Sequence, residues 1–296
     1  MSWLICGTVP VKGERVDFGQ VSLGKKKTIV VSGHEHPITR GTPALIAAAC
    51  ITAEKIETLA PYALLADDTG VGKGSRALYE KLCSLLPTLS LEGITFHYLL
   101  PDVDWQIKIL QTVETMQNRP LLVADAGYMY AAKMSNAAPS FDLFTPDAGE
   151  LAFLADEEAP HPFYTRGFLL ADEGDAGKMI ERAVATGGAA RHMLVKGKID
   201  SIVTGNMVTD SISEPSIAAM EAIGGSGDTV TGIVSAFLAA GTPIPVACRI
   251  AARTNRHMGL LAETTPATPI EELLEHLPEA LEKVIEEEEW EKPTAP

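Results

Sequence analysis

Residues Glu221–Gly241 read EAIGGSGDTVTGIVSAFLAAG, a glycine-rich turn that passes through one aspartate into an almost wholly apolar segment. A turn of Gly224, Gly225, Ser226 and Gly227 can aim successive backbone N–H groups at one spot, and a helix starting there adds its positive end. The two together suit a phosphate or a developing oxyanion. Asp228 stands at the mouth of that pocket. From Val230 to Ala240 only Thr231, Gly232 and Ser235 interrupt the apolar run, which predicts a helix without a solvent face, buried between other elements. The same letters also describe an ordinary helix start, with Ser226 or Asp228 accepting the orphan N–H bonds. The surrounding chain decides between the two.

Outward from this stretch, short apolar runs alternate with helical segments. KTIVVSG (Lys27–Gly33) precedes a predicted helix over Thr42–Leu59 with Pro43 in its first turn, and YALLAD (Tyr62–Asp67) precedes one over Ser75–Leu86. ITFHYLL (Ile94–Leu100) leads into a helix from Asp104 to Gln117; LLVAD (Leu121–Asp125) and FDLFT (Phe141–Thr145) each lead into another. A polar insertion around Ala159–Gly167 is followed by a helix over Gly177–Thr186. His192–Lys196 and Asp200–Thr204 then form a predicted hairpin about Gly197-Lys198. The two patches Trp3–Val9 and Val16–Leu23 are expected to pair as a small strand pair. Three helices close the chain: one from Asp228, one over Pro245–Ala262, one over Ile270–Glu287. In the last, Leu273, Leu274, Leu277 and Leu281 recur at helical spacing. This alternation predicts a three-layer αβα fold, a mainly parallel central sheet with helices on both faces. One domain over 1–287 is expected, with a solvated acidic tail over 288–296.

Composition narrows the function. The chain has 296 residues, 46% hydrophobic, and a net charge of −15, which disfavours nucleic acid and anionic membranes as partners while leaving a nucleotide open. The four cysteines, Cys6, Cys50, Cys83 and Cys248, form no Cys-x-x-Cys pair, which favours free thiols. The N-terminus lacks a basic region followed by an apolar core, and no apolar run reaches the roughly 18 to 20 residues of a membrane span. A cytoplasmic protein is expected; a homo-oligomer is compatible with the sequence.

The unusual residues fall after strands, where open parallel sheets bind ligands: Ser32–Gly41 with Gly33, Asp67–Gly74 with Gly72, Asp125, Thr145–Glu150, and the GGSGD turn. DTGVGKGS fails as a nucleotide-binding P-loop, because Asp67 stands where glycine is needed and Gly74 where serine or threonine is needed. Lys73 is therefore read as a solvated loop lysine. His34 and His36 have no further ligand at metal spacing, so no zinc site is expected. TPDAGE is first of all a helix start with Thr145 as N-cap and Pro146 at the first position. As a functional pair, Asp147 and Glu150 share one helical face and could organise water and Mg²⁺ beside a phosphate. Asp125 could equally cap the following helix, and Lys196-Gly197 could be only a hairpin corner.

PLLVADAG (Pro120–Gly127), FDLFTPDAGELAFL (Phe141–Leu154), MLVKG (Met193–Gly197) and the Glu221–Gly241 stretch, in this order, resemble the ribokinase-like superfamily. They are most similar to its ADP/ATP-dependent NAD(P)H-hydrate dehydratases. The likeness extends through Thr242–Glu263 to EELLEHLPEAL (Glu271–Leu281); before Pro120 it lies only in the layout. The resemblance implies phosphorylation, by ADP or ATP with Mg²⁺, of the hydroxyl on hydrated NADH or NADPH, followed by loss of phosphate. It also implies Asp228 as the base and Gly224, Gly225, Ser226 and Gly227 as the anion hole. Lys196 and Gly197 would then lie by the nucleotide, Asp147 and Glu150 in the magnesium-organising motif, and Asp125, Gly33 and Gly72 on the substrate side. The chain departs from the family at Asp147-Ala148, where His-Pro is usual, at VADAGYM, where a run like LDADAL is usual, and at DTGVG, where a GPGLG-like loop is usual. The phosphate turn is intact. A kinase of a sugar or vitamin precursor, and a catalytically silent nucleotide-binding homologue, are the alternatives.

Overall fold

The computed structural model describes residues 3–25, 27–158 and 176–293. The insertion expected around Ala159–Gly167 lies outside the described residues. A nine-stranded sheet runs in the order β12-β11-β10-β9-β8-β7-β1-β6-β2. Six neighbouring strands are parallel: β1 (Trp3–Val9), β6 (Tyr62–Asp67), β7 (Gly93–His97), β8 (Leu121–Ala124), β9 (Leu143–Phe144) and β10 (His192–Val195). Antiparallel strands close both edges: β2 (Val16–Gln20) at one, β11 (Asp200–Thr204) and β12 (Met207–Ile212) at the other.

Alternate residues of β1 serve opposite cores, as a strand's two-residue period requires. Ile5 packs with α1 (Thr42–Lys55), α7 (Ser226–Ala239), α8 (Ile244–Leu261) and α10 (Leu277–Glu287). Leu4 and Cys6 pack with α2 (Lys73–Leu85), α3 (Val103–Glu114), α4 (Gly127–Met134), α5 (Ala148–Ala155) and α6 (Ala176–Ala185). The three-layer αβα expectation is therefore met. The expected pairing of Trp3–Val9 with Val16–Leu23 is not: β1 lies between β6 and β7, and β2 pairs, among the described residues, with β6 alone. An apolar run buried on both faces belongs in the sheet's interior, whereas the partly exposed β2 belongs at an edge.

Lys27–Gly33 also falls elsewhere than expected. Its β-branched part forms β4 (Thr28–Val31), which pairs with β3 (Ser22–Gly24) and β5 (His34–Pro37) in a separate antiparallel sheet. Local hairpin partners on both sides compete successfully with the distant main sheet. The hairpin at Gly197-Lys198 forms as expected. The expected helix over Ile270–Glu287 is broken into α9 (Ile270–Leu273), a tight turn over Leu274–His276, and α10. Pro278 lacks an N–H, and its ring would clash with a carbonyl four residues back in a continuous helix.

The acidic end expected from 288 is anchored where it begins. Glu288 pairs with Arg249 Nε at 2.7 Å, and Trp290 donates from Nε1 to Thr242 Oγ1 at 3.1 Å while its ring meets Phe237 edge-on. No helix among the described residues is long and apolar enough to cross a membrane.

α1 and α7 pack face to face, and Gly232 is what permits their approach: a Cβ there would lie 2.1 Å from the Leu45 carbonyl oxygen. Because the obstacle is backbone, Gly232→Ala is expected to lower the unfolding free energy by about 1–3 kcal/mol, measured by urea denaturation.

Candidate active site

All six parallel strands end on one side of the molecule, and the chain leaves β7, β8, β9 and β10 there through His97, Asp125, Thr145 and Lys196. α7 aims its N-terminus at the same place. Gly225, in the left-handed region at φ 105°, turns the chain into α7, and Asp228 is the third residue of that helix. The Lys196 ammonium lies 3.6 Å from where Gly227 would carry a Cβ, so the lysine rests on the turn itself.

Asp228 is only 9% exposed, and both of its oxygens are held. Oδ2 accepts the Gly41 N–H at 2.7 Å; Oδ1 lies 3.0 Å from His97 Nε2, whose Nδ1 is 3.0 Å from Thr42 Oγ1. Burial alone would raise the pKa of Asp228, but the charge and hydrogen bond of His97, the Lys196 ammonium and the Gly41 N–H outweigh it and hold the carboxyl below its ordinary value.

Asp125 is the second buried carboxylate. Lys196 Nζ donates to both its oxygens at 3.0 Å, Thr231 Oγ1 donates at 2.6 Å, and its own neighbour's Ala126 N–H donates at 2.8 Å. Thr231 Oγ1 is in turn 2.9 Å from Thr145 Oγ1, so β8, β9, β10 and α7 meet in one polar knot. Burial works against the charge on Lys196, yet Asp125, Glu150 and Asp228 together keep its pKa above the ordinary lysine value. His97, Asp125 and Asp228 each bring one ligand-type atom within 4.8 Å of the others. A metal ion among them would have to displace the lysine, because both Asp125 oxygens already serve protein donors.

The helix start at TPDAGE is present, with a different cap from the one expected. α5 begins at Ala148 with Asp147 as N-cap: Asp147 Oδ1 accepts the Glu150 N–H at 2.8 Å, and Glu150 Oε2 accepts the Asp147 N–H at 2.9 Å. Thr145 is instead turned inward to Thr231, which Pro146 permits by starting no helix of its own. Desolvation first, then the charges of Asp147 and Asp125, push the Glu150 carboxyl well above the ordinary range. The capping box uses one oxygen of each carboxylate, Asp147 Oδ1 and Glu150 Oε2, so the other oxygen of each could serve Mg²⁺ or its waters.

Gly197 is held by residues that its hairpin setting does not suggest. Its N–H donates to Asp200 Oδ1 at 3.0 Å, and its carbonyl accepts from Arg256 at 3.0 Å. Arg256 also donates to Asp200 Oδ2, Lys198 O and Ser213 O, clamping both sides of the turn from α8. Gly33 lies in the turn between β4 and β5, and Gly72 caps α2; among the described residues no hydrogen bond joins either to Asp228 or Asp125.

The DTGVG loop explains why it does not read as a phosphate loop. Asp68 Oδ1 accepts the N–H groups of Gly70, Val71 and Gly72, each at 3.0 Å, and Oδ2 accepts both donors of Ser75. The loop's anion is its own aspartate. Lys73 opens α2 in an exposed position.

His97, Thr42 and Arg256 escape sequence reasoning as site residues, and Gly41 enters it only as the end of the Ser32–Gly41 loop. A lone histidine inside ITFHYLL has the pattern of a core residue, and the only hint of a function is its place at a strand's carboxyl end.

Comparison with solved structures first gives the fold. The chain superimposes on YxkO of Bacillus subtilis, described as a member of the UPF0031 family and a putative kinase, with TM-score 0.56 at 15% identity, covering 96% of this chain and 92% of that one. It matches an ADP/ATP-dependent NAD(P)H-hydrate dehydratase of Bacillus subtilis co-crystallized with ATP/Mg²⁺ with TM-score 0.56 at 14% identity, covering 96% and 89%. It also matches pyridoxal kinase of Staphylococcus aureus with TM-score 0.51 at 16% identity, covering 86% and 85%. The fold is ribokinase-like. A family model described as NAD(P)H-hydrate dehydratase matches residues 100–281, and the chain belongs to that carbohydrate-kinase-related family. An uncharacterized protein of Methanocaldococcus jannaschii is 38% identical over 219 residues, 74% of this chain and 90% of that one.

Asp68 supplies a test independent of activity. Burial would raise its pKa, but the hydrogen bonds from Ser75, Gly72 and Gly70 prevail and lower it from 3.8. A folded-state pKa below the unfolded one contributes stability that is complete above about pH 4 and is lost as pH falls through the folded value. Asp68→Ala is expected to cost about 2–3 kcal/mol at neutral pH and to flatten the acid limb of stability against pH, measured by denaturant titration from pH 2 to 7.

Proposed function

We propose that the protein is an ADP- or ATP-dependent NAD(P)H-hydrate dehydratase, a metabolite-repair enzyme. The observation that carries this is the placement of Asp228, held through both oxygens, at the glycine turn where α7 begins and Lys196 lies. Asp228 takes the proton of the acceptor hydroxyl as its oxygen bonds to the terminal phosphorus and the bond to the nucleotide's bridging oxygen breaks. The N–H groups of Gly225, Gly227 and Asp228, with Gly224 shaping the turn, receive the transferring phosphoryl, whereas the Ser226 N–H, expected among them, is already given to the Ile223 carbonyl at 3.2 Å. Lys196 supplies the fixed positive charge, and Gly197, clamped by Arg256, forms the adjoining wall for the nucleotide. Mg²⁺, held through Asp147 and Glu150 and their waters, would neutralise phosphate charge. In the second half the phosphate leaves with its oxygen, a proton is lost from the adjoining ring carbon, and the dihydronicotinamide double bond is restored.

Asp125 holds Lys196 on the substrate side; Gly72 belongs to the loop after β6, whereas Gly33 lies in the β4–β5 turn of the separate sheet. A small-molecule kinase would use the same residues for the first half alone. The departures at Asp147-Ala148 and around Asp125 are where the two activities would diverge.

Incubation with hydrated NADH, Mg²⁺ and ADP or ATP is expected to restore dihydronicotinamide absorbance; no recovery with either nucleotide would sink the dehydratase assignment. Asp228→Asn is expected to lower kcat by about 10²–10⁴-fold while nucleotide affinity, measured by calorimetry, stays the same. His97→Ala removes a group that holds the Asp228 carboxyl down, leaving desolvation less opposed. The acid limb of its kcat/KM profile is therefore expected at higher pH than in the wild type.

A further inference from the structure

Arg40 stands just before the residue whose N–H holds Asp228, and its backbone is fixed on both sides. Two residues earlier, the Ile38 N–H donates to the Lys27 carbonyl at 3.0 Å while the Ile38 side chain is buried in the core. Immediately after it, Gly41, at φ 80°, donates its N–H to Asp228 Oδ2 at 2.7 Å. The glycine turn lies against this segment. A Cβ at Gly225 would come within 3.3 Å of the Arg40 Cα, and one at Gly224 within 3.3 Å of the Arg40 Cδ and 3.6 Å of its Cβ. The methylene stem of the arginine is therefore laid along the first two glycines of the turn, and the guanidinium begins at the next atom. A stem packed in this way leaves the charged head free to meet solvent or a ligand.

That head has no partner in the protein: Arg40 is exposed and, among the described residues, its side chain makes neither a hydrogen bond nor an ion pair. The chain carries 39 Asp and Glu against 24 Lys and Arg, and most of its arginines do find a carboxylate. Arg15 pairs with Asp67, Arg119 with Asp142, Arg249 and Arg253 with Glu288, and Arg256 with Asp200. Where acids are in such excess, a guanidinium whose stem is held but whose head is unpaired is available to an anion from solution. The charges already at the turn leave a need for one. Lys196 reaches Gly227, but Asp125 balances its charge, and Asp228 adds a further carboxylate. A phosphate brought to the N–H groups of the turn thus meets one ammonium and two carboxylates, a net repulsion. Mg²⁺ beside Asp147 and Glu150 would offset it from the side of α5; Arg40 offsets it from the side of α1.

We propose that Arg40 binds the terminal phosphate of the nucleotide at the Gly224-Gly225 end of the turn, the opposite end from Lys196 at Gly227. Its planar fork donates two N–H groups to two phosphate oxygens, a geometry that a lysine ammonium does not fix. This rests on the turn being the seat of the transferring phosphoryl, and it adds the cation that holds the phosphate there. One backbone segment then serves both partners of the transfer: Arg40 holds the phosphate, and the Gly41 N–H that follows holds the base.

The test is equilibrium binding to the full chain with Mg²⁺ present, by calorimetry, with a non-hydrolysable ATP analogue, adenosine and hydrated NADH as separate ligands. Arg40→Met keeps an apolar stem over Gly224 and loses the charge. It is expected to weaken the ATP analogue about 10- to 100-fold, the scale of a hydrogen bond to a charged group, with adenosine and hydrated NADH bound as tightly as by the wild type. Arg40→Lys, which restores the charge without the fork, is expected to fall between the two. Added KCl is expected to weaken the ATP analogue more steeply in the wild type than in Arg40→Met. Unchanged affinity of Arg40→Met for the ATP analogue would overturn the assignment. So would an equal loss for adenosine, the mark of a disturbed turn, or a loss confined to hydrated NADH, which carries phosphates of its own. Because binding is read and not turnover, the two readings fail separately. An ATP analogue held by Arg40 in a protein that restores no dihydronicotinamide absorbance would uphold the phosphate contact and overturn the dehydratase; restored absorbance with unchanged Arg40→Met affinity would do the reverse.

Discussion

The ion pair between Lys196 and Asp125 is the contact on which the rest of the site depends. It joins the ends of β8 and β10 inside the protein, where two charges cost several kcal/mol each to desolvate and their attraction alone returns little net stability. What makes the pair tenable is the set of further donors: Thr231 from α7 and the Ala126 N–H fill the remaining capacity of Asp125. Removing either charge would strand the other at a cost of about 3–5 kcal/mol. The pair therefore fixes three elements at once: two strand ends and the first turns of the helix that carries Asp228. Its energetic return is small; its geometric return is the position of the phosphate turn over the sheet.

Much of this was legible in the chain itself, for identifiable reasons. Strands of a parallel sheet covered on both faces are continuous apolar runs, so YALLAD, ITFHYLL, LLVAD and HMLV announce themselves, and helices of 8 to 13 residues between them leave little choice of fold class. What failed was pairing across distance. Trp3–Val9 has no local signal for its place between β6 and β7, and Thr28–Val31 reads like a main-sheet strand because composition carries no information about which sheet is joined. Pro278 did carry the break between α9 and α10, but the leucine spacing on either side of it masks the interruption.

The site divides the same way. The glycine turn, Asp228, Asp125 and Lys196 stand out because a glycine cluster or a charged residue at the end of an apolar run is anomalous. His97 and Thr42 are anomalous only in three dimensions: a histidine in an apolar strand and a threonine opening a helix are each unremarkable until Nε2 and Nδ1 are seen to lie on Asp228 and Thr42. Arg256, in the middle of α8, looks like a surface arginine and is instead a buried clamp that donates to Asp200 and to backbone carbonyls on two loops.

The arrangement around Asp228 also constrains how phosphoryl transfer can proceed. A carboxylate at a helix N-terminus, bonded to His97 and Gly41 and facing Lys196, is stabilised as an anion and so is a weak base. It cannot drive early, complete removal of a hydroxyl proton whose own pKa is far higher. It can orient the hydroxyl and accept the proton late, once bonding to phosphorus has acidified it, which matches a loose transition state with little bonding to the nucleophile at its peak. The same groups that weaken Asp228 as a base keep it ionised and pointed at one spot. Rate must then come mainly from positioning and from the N–H groups of the turn. A stronger base would require removing the hydrogen bonds that set its direction, so basicity and placement oppose each other here, and the geometry favours placement.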